Sequence, residues 1–249
     1  PQDHEERYPD ANFLKVTDSR EALQRLAERH RDEFQIPIVG ITGSNGKTVV
    51  KEWLNQILAP QMAVARSPRS YNSQIGVPLS VWLLDEQSQV GIFEAGISEP
   101  NEMQALRDII QPTIGVLTCL GAAHQENFQS MEEKCNEKLK LFHDAQCVVY
   151  GKDDALVEHC MQQLNIKGER LAWSMHDAQA ALYVSSAVKS DATTTITYTW
   201  QGNTHCYTLP FIDDASVMNS ITCAATALHL GVSADALAQR MATLEPVAM

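Results

Sequence analysis

Short apolar runs alternate with amphipathic segments between residue 36 and about residue 165 of this 249-residue chain. Such runs are typical of buried strands, and apolar side chains spaced three and four residues apart are typical of helices with one buried face. The predicted strands cover residues 36–41, 62–65, 90–95, 114–119 and 147–150. The predicted helices cover residues 48–58, 78–84, 100–110, 130–143 and 154–164. This alternation predicts an α/β fold built on a doubly wound, mainly parallel sheet.

The pattern changes after residue 171, where strand-like segments follow one another without helices between them. Gln201-Gly202-Asn203 supplies a turn between the last two of these segments. The predicted strands cover residues 182–188, 194–200 and 205–209, and the helices predicted after them cover residues 216–230 and 234–244. We therefore expect a small antiparallel appendix at about residues 171–211.

The first part of the chain, residues 1–35, is polar and charged. Apolar residues at helical spacing predict one amphipathic helix within residues 18–34. We expect residues 1–35 to be a lead-in to a domain formed by residues 36–245. The chain begins with Pro1, and we expect it to be a piece of a longer protein.

Composition and charge narrow the class of protein. Hydrophobic residues make up 44% of the chain and charged residues 20%, as in ordinary globular proteins. The net charge of −12 argues against a general nucleic-acid binder, because such proteins need a positive surface. The six cysteines show no C-x-x-C spacing and are expected to be scattered thiols in a reducing cytosol. The sequence has no apolar run long enough to cross a bilayer, so we expect a cytoplasmic location without membrane insertion.

Residues 40–48, Gly-Ile-Thr-Gly-Ser-Asn-Gly-Lys-Thr, connect a predicted strand to a predicted helix. Glycines let a backbone approach a phosphate closely, and a helix N-terminus offers unpaired N–H groups and the positive end of a dipole. Lys47 would add a positive charge for the outer phosphates, and Thr48 a hydroxyl for a magnesium ion. The pattern departs from the common phosphate loop at Ile41, where a glycine is usual; the alternative is a simple glycine turn. The candidate phosphate-binding residues are Gly43, Ser44, Asn45, Gly46, Lys47 and Thr48.

Two further side chains follow predicted strands and would lie at the same edge of the sheet. Ligands of open parallel sheets bind beyond the carboxyl ends of the strands. Glu94 ends one apolar strand, where its carboxylate could bind a magnesium ion held near Thr48. The alternative for Glu94 is an ordinary surface carboxylate. His124 follows the next strand, and its alternative is a loop histidine without a ligand.

A lysine stands on the apolar face of the helix predicted at residues 130–143. Lys138 lies three residues after Cys135 and four before Phe142, which mark that face. One interpretation is that its side chain extends to water. The other is that burial lowers the lysine pKa and leaves a neutral amine, which can add carbon dioxide to form a carbamate. A carbamate is an anion and can bind magnesium.

The order of these segments resembles that of the Mur ligases, the ATP-dependent amide ligases of peptidoglycan precursor synthesis. Four ordered segments carry the resemblance, at residues 42–48, 94–96, 121–128 and 138–142. It extends over about residues 36–245 and implies the central ATP-binding domain of that family. It also implies that an N-terminal domain and a C-terminal closing domain of the same protein are missing here, and that this piece alone is inactive.

The resemblance implies roles for individual residues. Lys47 would contact the outer phosphates of ATP. Thr48 and Glu94 would bind one magnesium ion, and His124 and a carbamylated Lys138 would bind a second. Lys47, His124 and Lys138 would therefore be the catalytic residues.

Two asparagines complete the implied site. Asn219 resembles the asparagine that meets the adenine end of ATP, although this chain has Ala215 and Ser216 where the family usually has a His-Asn pair. Residues 71–78 resemble a segment of the members that add D-alanyl-D-alanine, which implies that Asn72 contacts substrate. The alternative for this segment is a turn before a helix.

The resemblance implies one reaction in particular. D-alanyl-D-alanine would be added to UDP-N-acetylmuramoyl-tripeptide through an acyl phosphate, with ATP and Mg²⁺ as cofactors. A sister Mur ligase or a folylpolyglutamate synthase would share the loop, Glu94 and Lys138. A non-ligase phosphate-loop protein, or a binding module without chemistry, would share the loop alone and form no acyl phosphate.

Overall fold

The computed structural model describes residues 7–121 and 125–247 of the chain. The strands are β1 Ile38–Thr42, β2 Val64–Arg66, β3 Val90–Glu94, β4 Ile114–Leu117, β5 Cys147–Gly151, β6 Glu169–Ser174, β7 Leu182–Lys189, β8 Thr194–Trp200 and β9 Asn203–Leu209. The helices are α1 Ser19–Arg31, α2 Lys47–Leu58, α3 Gly76–Val81, α4 Met103–Ile110, α5 Met131–Leu139, α6 Ala155–Gln163, α7 Asp214–His229 and α8 Ala234–Met241. Short 3₁₀ turns cover Gln125–Asn127 and Lys140–Phe142.

In the part of the chain that the structure describes, nine strands form one sheet, in the order β2-β3-β1-β4-β5-β6-β7-β8-β9. Neighbouring strands are parallel from β2 through to β7, and the β7–β8 and β8–β9 pairs are antiparallel. Strand β1 lies between β3 and β4, at the point where the chain passes from one side of the sheet to the other. Ligands of doubly wound sheets bind at such a switch point, which here is the carboxyl end of β1.

The predicted fold class is confirmed, with one correction at the appendix. The sequence pattern missed β6, which pairs in parallel with β5 and extends the main sheet. Its first residues, Glu169 and Arg170, are exposed and charged, so the strand has no continuous apolar run. The antiparallel part therefore comprises β7–β9 and continues the same sheet.

Helices cover both faces of the sheet, and each face has its own apolar core. One core includes Trp53 of α2 and Ile221 of α7. The other includes Leu106 of α4 and Phe142 after α5. The amphipathic helix predicted near the start of the chain is confirmed as α1, with the Asp18 carboxylate accepting from the first backbone N–H groups. Helix α1 packs against α3 and α4, so its inner face is part of the second core.

Helix α5 ends earlier than the sequence pattern predicted. The α-helix stops at Leu139 and continues as a 3₁₀ turn over Lys140–Phe142. Its first turn is capped by Ser130, whose hydroxyl accepts from the Glu133 N–H at 3.0 Å. The cap fixes the helix start, which in turn fixes the direction in which Lys138 leaves the helix.

Candidate functional site

The loop after β1 has two glycines in backbone conformations that side chains disfavour. Gly43 has φ +146° and Gly46 has φ +84°. A Cβ atom on Gly43 would lie 2.0 Å from the Thr118 Oγ1 atom, and one on Gly46 would lie 2.5 Å from the Asn219 Oδ1 atom. Both positions therefore favour glycine by conformation; a side chain at residue 43 would also displace Thr118, and one at residue 46 would displace the Asn219 side chain. The result is an open turn whose backbone leads directly into the N-terminus of α2.

Residues after β4 hold this loop from one side. The Ser44 N–H donates to the Cys119 carbonyl at 2.7 Å, and the Gly121 N–H donates to the Ser44 hydroxyl at 2.9 Å. The Thr118 hydroxyl donates to the Asn45 carbonyl at 2.5 Å. These bonds join two segments that lie far apart in sequence, and they leave the loop a defined shape before any ligand binds.

Lys47 folds back over the loop that precedes it. Its ammonium donates to the carbonyls of Gly43 at 3.0 Å and Ser44 at 3.3 Å. Burial lowers the pKa of Lys47, and the nearby Glu94 carboxylate opposes this shift. The first residue of α2 thus places a positive charge above the loop, where anionic oxygens would be bound by the helix N-terminus.

The predicted magnesium ligands Thr48 and Glu94 lie together. The Thr48 hydroxyl is 3.2 Å from Oε2 of Glu94, and the Asn72 amide nitrogen is 3.5 Å from the same oxygen. Glu94 has no exposed surface, and its Oε1 atom lies 3.0 Å from the Lys51 ammonium. A buried carboxylate whose other oxygen faces a hydroxyl fits the oxygen ligands that Mg²⁺ prefers.

Lys138 reaches the same loop from α5. It is 3% exposed, and its amine donates to the Gly43 carbonyl at 3.2 Å. Burial, together with the neighbouring Lys47 and Lys134 ammonium groups, lowers the pKa of Lys138 to about 8. The side chain therefore does not extend to water, and a neutral amine forms more readily here than on an exposed lysine.

The structure places two of the remaining predicted residues, Asn219 and Asn72, near the loop, and it does not describe the third, His124. His124 lies outside the described residues, so its predicted role stays a prediction. Asn219 lies against Gly46 in the glycine loop. Its side-chain oxygen fills the space that a Cβ at residue 46 would need. Asn72 lies at the loop side of Glu94, where its carbonyl also accepts from the Gly96 N–H at 2.8 Å.

Two buried lysines were missed by the sequence analysis. Lys134, one turn before Lys138, is 1% exposed and donates to the Gly121 carbonyl at 2.6 Å. Lys51, one turn after Lys47, has no exposed surface and lies 3.0 Å from Oε1 of Glu94. The only sequence signal for either lysine is its helical spacing from a lysine that was already a candidate.

A cleft of about 330 Å³ lies beside the glycine loop. Gly43, Lys47, Lys138 and Asn72 line one part of it, and Arg20 of α1 lies at another. A larger cavity, of about 920 Å³, lies at the opposite edge of the sheet among the amino ends of the strands. None of the predicted site residues that the structure describes lines the larger cavity. We assign the site to the smaller cleft because it contains the glycine loop and the convergent charged groups.

Another group of potential metal ligands lies far from this cleft. Cys147, Glu169 and His229 each offer one ligand atom, and these atoms lie within 4.8 Å of one another. The described part of the chain also contains no helix long and apolar enough to cross a membrane.

The chain matches a known protein family. Residues 41–227 match the family model described as the Mur ligase middle domain. The chain is 25% identical to the Bacillus subtilis protein named UDP-N-acetylmuramoyl-tripeptide--D-alanyl-D-alanine ligase, across 94% of this chain and 50% of that relative. It thus spans about half the length of this curated relative.

Two crystal structures share the fold. One is a MurF structure from Acinetobacter baumannii, with a TM-score of 0.86 and 22% identity over 96% of this chain and 53% of that one. The other is the MurF ligase of Thermotoga maritima in complex with ADP, with a TM-score of 0.82 and 24% identity over 96% of this chain and 55% of that one. The family match covers most of the chain, including the glycine loop, Glu94 and Lys138. This chain therefore belongs to the Mur ligase family, and residues 41–227 are its middle domain.

Proposed function

We propose that this chain is the ATP-binding part of a ligase that adds D-alanyl-D-alanine to UDP-N-acetylmuramoyl-tripeptide in peptidoglycan precursor synthesis. The observation that carries the proposal is the convergence of Lys47, Thr48, Glu94 and Lys138 on one glycine loop at the carboxyl end of β1. The name of the Bacillus subtilis relative supports the choice of substrates. The reaction would take place in the cytoplasm.

The loop and its lysines would bind the phosphates of ATP. The backbone N–H groups at Gly43–Gly46 and the start of α2 would face the phosphate oxygens, and the Lys47 ammonium would lie over the outer phosphates. Asn219, which touches Gly46, would meet the nucleoside side of the same ligand. Bringing a substrate carboxylate to a polyphosphate requires positive charge to offset the repulsion between anions, and these residues supply part of it.

Two magnesium sites complete the proposal. Thr48 and Glu94 would bind one ion, and His124 with a carbamylated Lys138 would bind the second. The ions, when bound, shield the phosphate oxygens and stabilise the charge of the transition state. The lowered pKa of Lys138 supports the carbamate, because only the neutral amine adds carbon dioxide.

The reaction proceeds in two steps. The terminal carboxylate of the tripeptide attacks the γ-phosphate of ATP, and ADP leaves with the electron pair of the broken P–O bond. The amine of D-alanyl-D-alanine then attacks the acyl carbon, loses a proton, and phosphate leaves. Asn72, at the edge of the Glu94 carboxylate, would contact the tripeptide. Positioning of the two substrates supplies much of the rate acceleration.

The domain organisation is part of the same proposal. Residues 36–245 would form the central domain, and residues 1–35 would lead in from an N-terminal domain. A C-terminal domain would follow and close over the cleft. This chain spans about half the length of the curated relative, which supports this division.

The test is product formation by the longer natural protein that contains this chain. The protein is incubated with ATP, Mg²⁺, D-alanyl-D-alanine and a set of UDP-muramoyl peptides, and the products are identified by mass. We expect ADP release and the pentapeptide only when the tripeptide is supplied. A product from another muramoyl peptide or from a folate would instead identify a sister ligase.

A further inference from the structure

One lysine in the first half of α2 is completely buried. Lys51 has no exposed surface, and its ammonium donates to the Ser67 carbonyl at 2.8 Å and to the Arg69 carbonyl. It also lies 3.0 Å from Oε1 of Glu94 and 3.0 Å from Oε1 of Glu52. A buried ammonium is destabilising unless acceptors and opposite charges surround it. Here four oxygen atoms from three parts of the chain meet that need.

The contact between Lys51 and Glu94 is a buried ion pair. The Lys51 ammonium lies 3.0 Å from Oε1 of Glu94, and neither side chain has any exposed surface. The other oxygen, Oε2, faces Thr48 at 3.2 Å. One oxygen of the Glu94 carboxylate therefore faces a fixed positive charge, and the other faces Thr48, a candidate metal ligand.

Lys51 also fixes the segment that carries Asn72. Arg69 has φ +48°, a backbone conformation that residues other than glycine rarely adopt, and its carbonyl accepts from Lys51. The Ser67 hydroxyl accepts from the Glu94 N–H at 3.3 Å, which ties the same segment to the end of β3. Residues 67–72, the Glu94 carboxylate and α2 are thus held together through one ammonium group.

We propose that Lys51 is a positioning residue that serves as the built-in counter-charge of Glu94 and keeps the carboxylate in place until a metal ion arrives with the nucleotide. The inference rests on the magnesium role proposed above for Glu94. A positive charge at 3.0 Å from a ligand carboxylate repels a bare divalent cation. Metal bound together with polyphosphate is less affected, because the phosphates add negative charge. Lys51 thereby favours binding of the metal–nucleotide complex over binding of the metal alone.

The test is the affinity of the 249-residue chain for Mn²⁺ without nucleotide, measured by electron paramagnetic resonance for the parent and for Lys51→Met. We expect Lys51→Met to bind Mn²⁺ more tightly, by roughly tenfold or more, because the repelling charge is gone. The same ion should also raise the melting temperature of Lys51→Met more than that of the parent, since it replaces the lost counter-charge. Equal or weaker Mn²⁺ binding by Lys51→Met would show that Lys51 only bonds the backbone at Ser67 and Arg69.

Two further variants make the result specific. Lys189→Met removes an exposed ion pair with Asp214 at the antiparallel end of the sheet and should leave Mn²⁺ binding unchanged. Adding Glu94→Gln to Lys51→Met should abolish the gain in affinity. If Lys51→Met does not fold, a folded Lys51→Met/Glu94→Gln protein supports the counter-charge role, and an unfolded one overturns it.

Glu94→Gln alone separates this inference from the proposed function. If it leaves binding of Mn²⁺ with ATP unchanged, Glu94 is not a metal ligand and both proposals are wrong at this point. If it weakens that binding while Lys51→Met behaves like the parent, only the role of Lys51 is rejected.

Discussion

Lysine side chains concentrate positive charge around one loop of an acidic protein. Lys47, Lys134 and Lys138 each donate to a carbonyl of residue 43 or residue 121, and the chain as a whole carries a net charge of −12. Burial lowers the pKa of all three ammonium groups, and repulsion by neighbouring lysines adds to the shift at Lys47 and Lys138. The arrangement is therefore suited to a polyphosphate ligand, whose binding relieves that repulsion.

As long as Lys138 is not carbamylated, Lys138→Met should stabilise the folded chain at pH 7. The pKa of Lys138 falls from 10.5 to about 8 on folding, so the charged form is disfavoured in the folded state. At pH 7 this lysine is charged in both states, and the difference corresponds to about 3 kcal/mol of destabilisation that the variant removes. The Gly43 carbonyl keeps a partner in the variant, because Lys47 also donates to it. Urea unfolding at pH 7 measures the difference in free energy of unfolding.

The stability difference between Lys138→Met and the parent should depend on pH, and this dependence is the control for the prediction. Between pH 8 and 10.5 the folded parent binds fewer protons at Lys138 than the unfolded chain, so the parent gains stability relative to the variant as pH rises. The advantage of Lys138→Met should therefore shrink between pH 7 and pH 10. A variant that is less stable than the parent at pH 7, by an amount independent of pH, would mean that Lys138 is held by favourable contacts.

The strands show which parts of the fold can be predicted from the pattern of apolar residues. Strands β1, β3, β4 and β5 are mostly apolar and almost entirely buried, and their apolar runs predicted them. Strand β6 begins with exposed charged residues and was therefore not predicted. The glycine loop was visible because its chemistry is local in sequence.

Part of the candidate site could not be predicted from the sequence, because its contacts depend on the tertiary fold. Lys134 lies in a stretch rich in charge, and Lys51 is one of the few charged residues of an amphipathic helix; lysines in such positions usually extend to water. Only the tertiary fold places their amines against the Ser67 and Gly121 carbonyls. The segment at 67–72 likewise reaches Glu94 through a turn with a positive φ at Arg69, and no sequence pattern indicated it.

Gly46→Ala tests the loop as an element, and Gly202→Ala is its matched control. The two glycines have similar φ angles, +84° and +79°, so an alanine at either position should cost about 1–2 kcal/mol of stability. A Cβ at Gly202 meets nothing within 4 Å, whereas one at Gly46 meets the Asn219 side chain at 2.5 Å. That side chain can move, so we expect similar melting temperatures for the two variants.

Nucleotide binding should separate these two variants. Gly46→Ala displaces Asn219 and crowds the loop, so its affinity for ATP with Mg²⁺ should fall by roughly tenfold or more, as expected for the loss of about one good polar contact. Gly202→Ala should bind as the parent does. Equal affinities in both variants would place the nucleotide away from this loop.

At the scale of the whole molecule, one sheet carries helices on both faces and presents the site at one edge. Helix α1 is bound to the body by Arg31, which is 5% exposed and donates to the carbonyls of Ile110 at 3.0 Å and Gln111 at 3.1 Å. The two apolar cores extend along the sheet. A sheet with two covered faces of this extent can fold without further domains.

The isolated chain should bind nucleotide without completing the reaction. In ligases that close over their substrates, closure excludes water and completes the catalytic set. This chain spans 50% of its Bacillus subtilis relative, and we propose that the rest of such a protein provides the closure. Incubation with ATP, Mg²⁺, UDP-N-acetylmuramoyl-tripeptide and D-alanyl-D-alanine should give no pentapeptide by mass spectrometry. Turnover close to that of the longer protein would show that the additional domains are dispensable.

The most direct test of the account is calorimetric titration of the 249-residue chain with ATP and Mg²⁺, alongside Lys47→Ala. The account predicts binding by the parent and a loss of affinity of at least roughly tenfold in Lys47→Ala, as expected when an ammonium that faces phosphate is removed. Circular dichroism should show the same fold in both proteins, because Lys47 is only partly buried and contacts its own loop. Equal affinity in the parent and Lys47→Ala, with the fold intact, would contradict the claim that this loop is the nucleotide site.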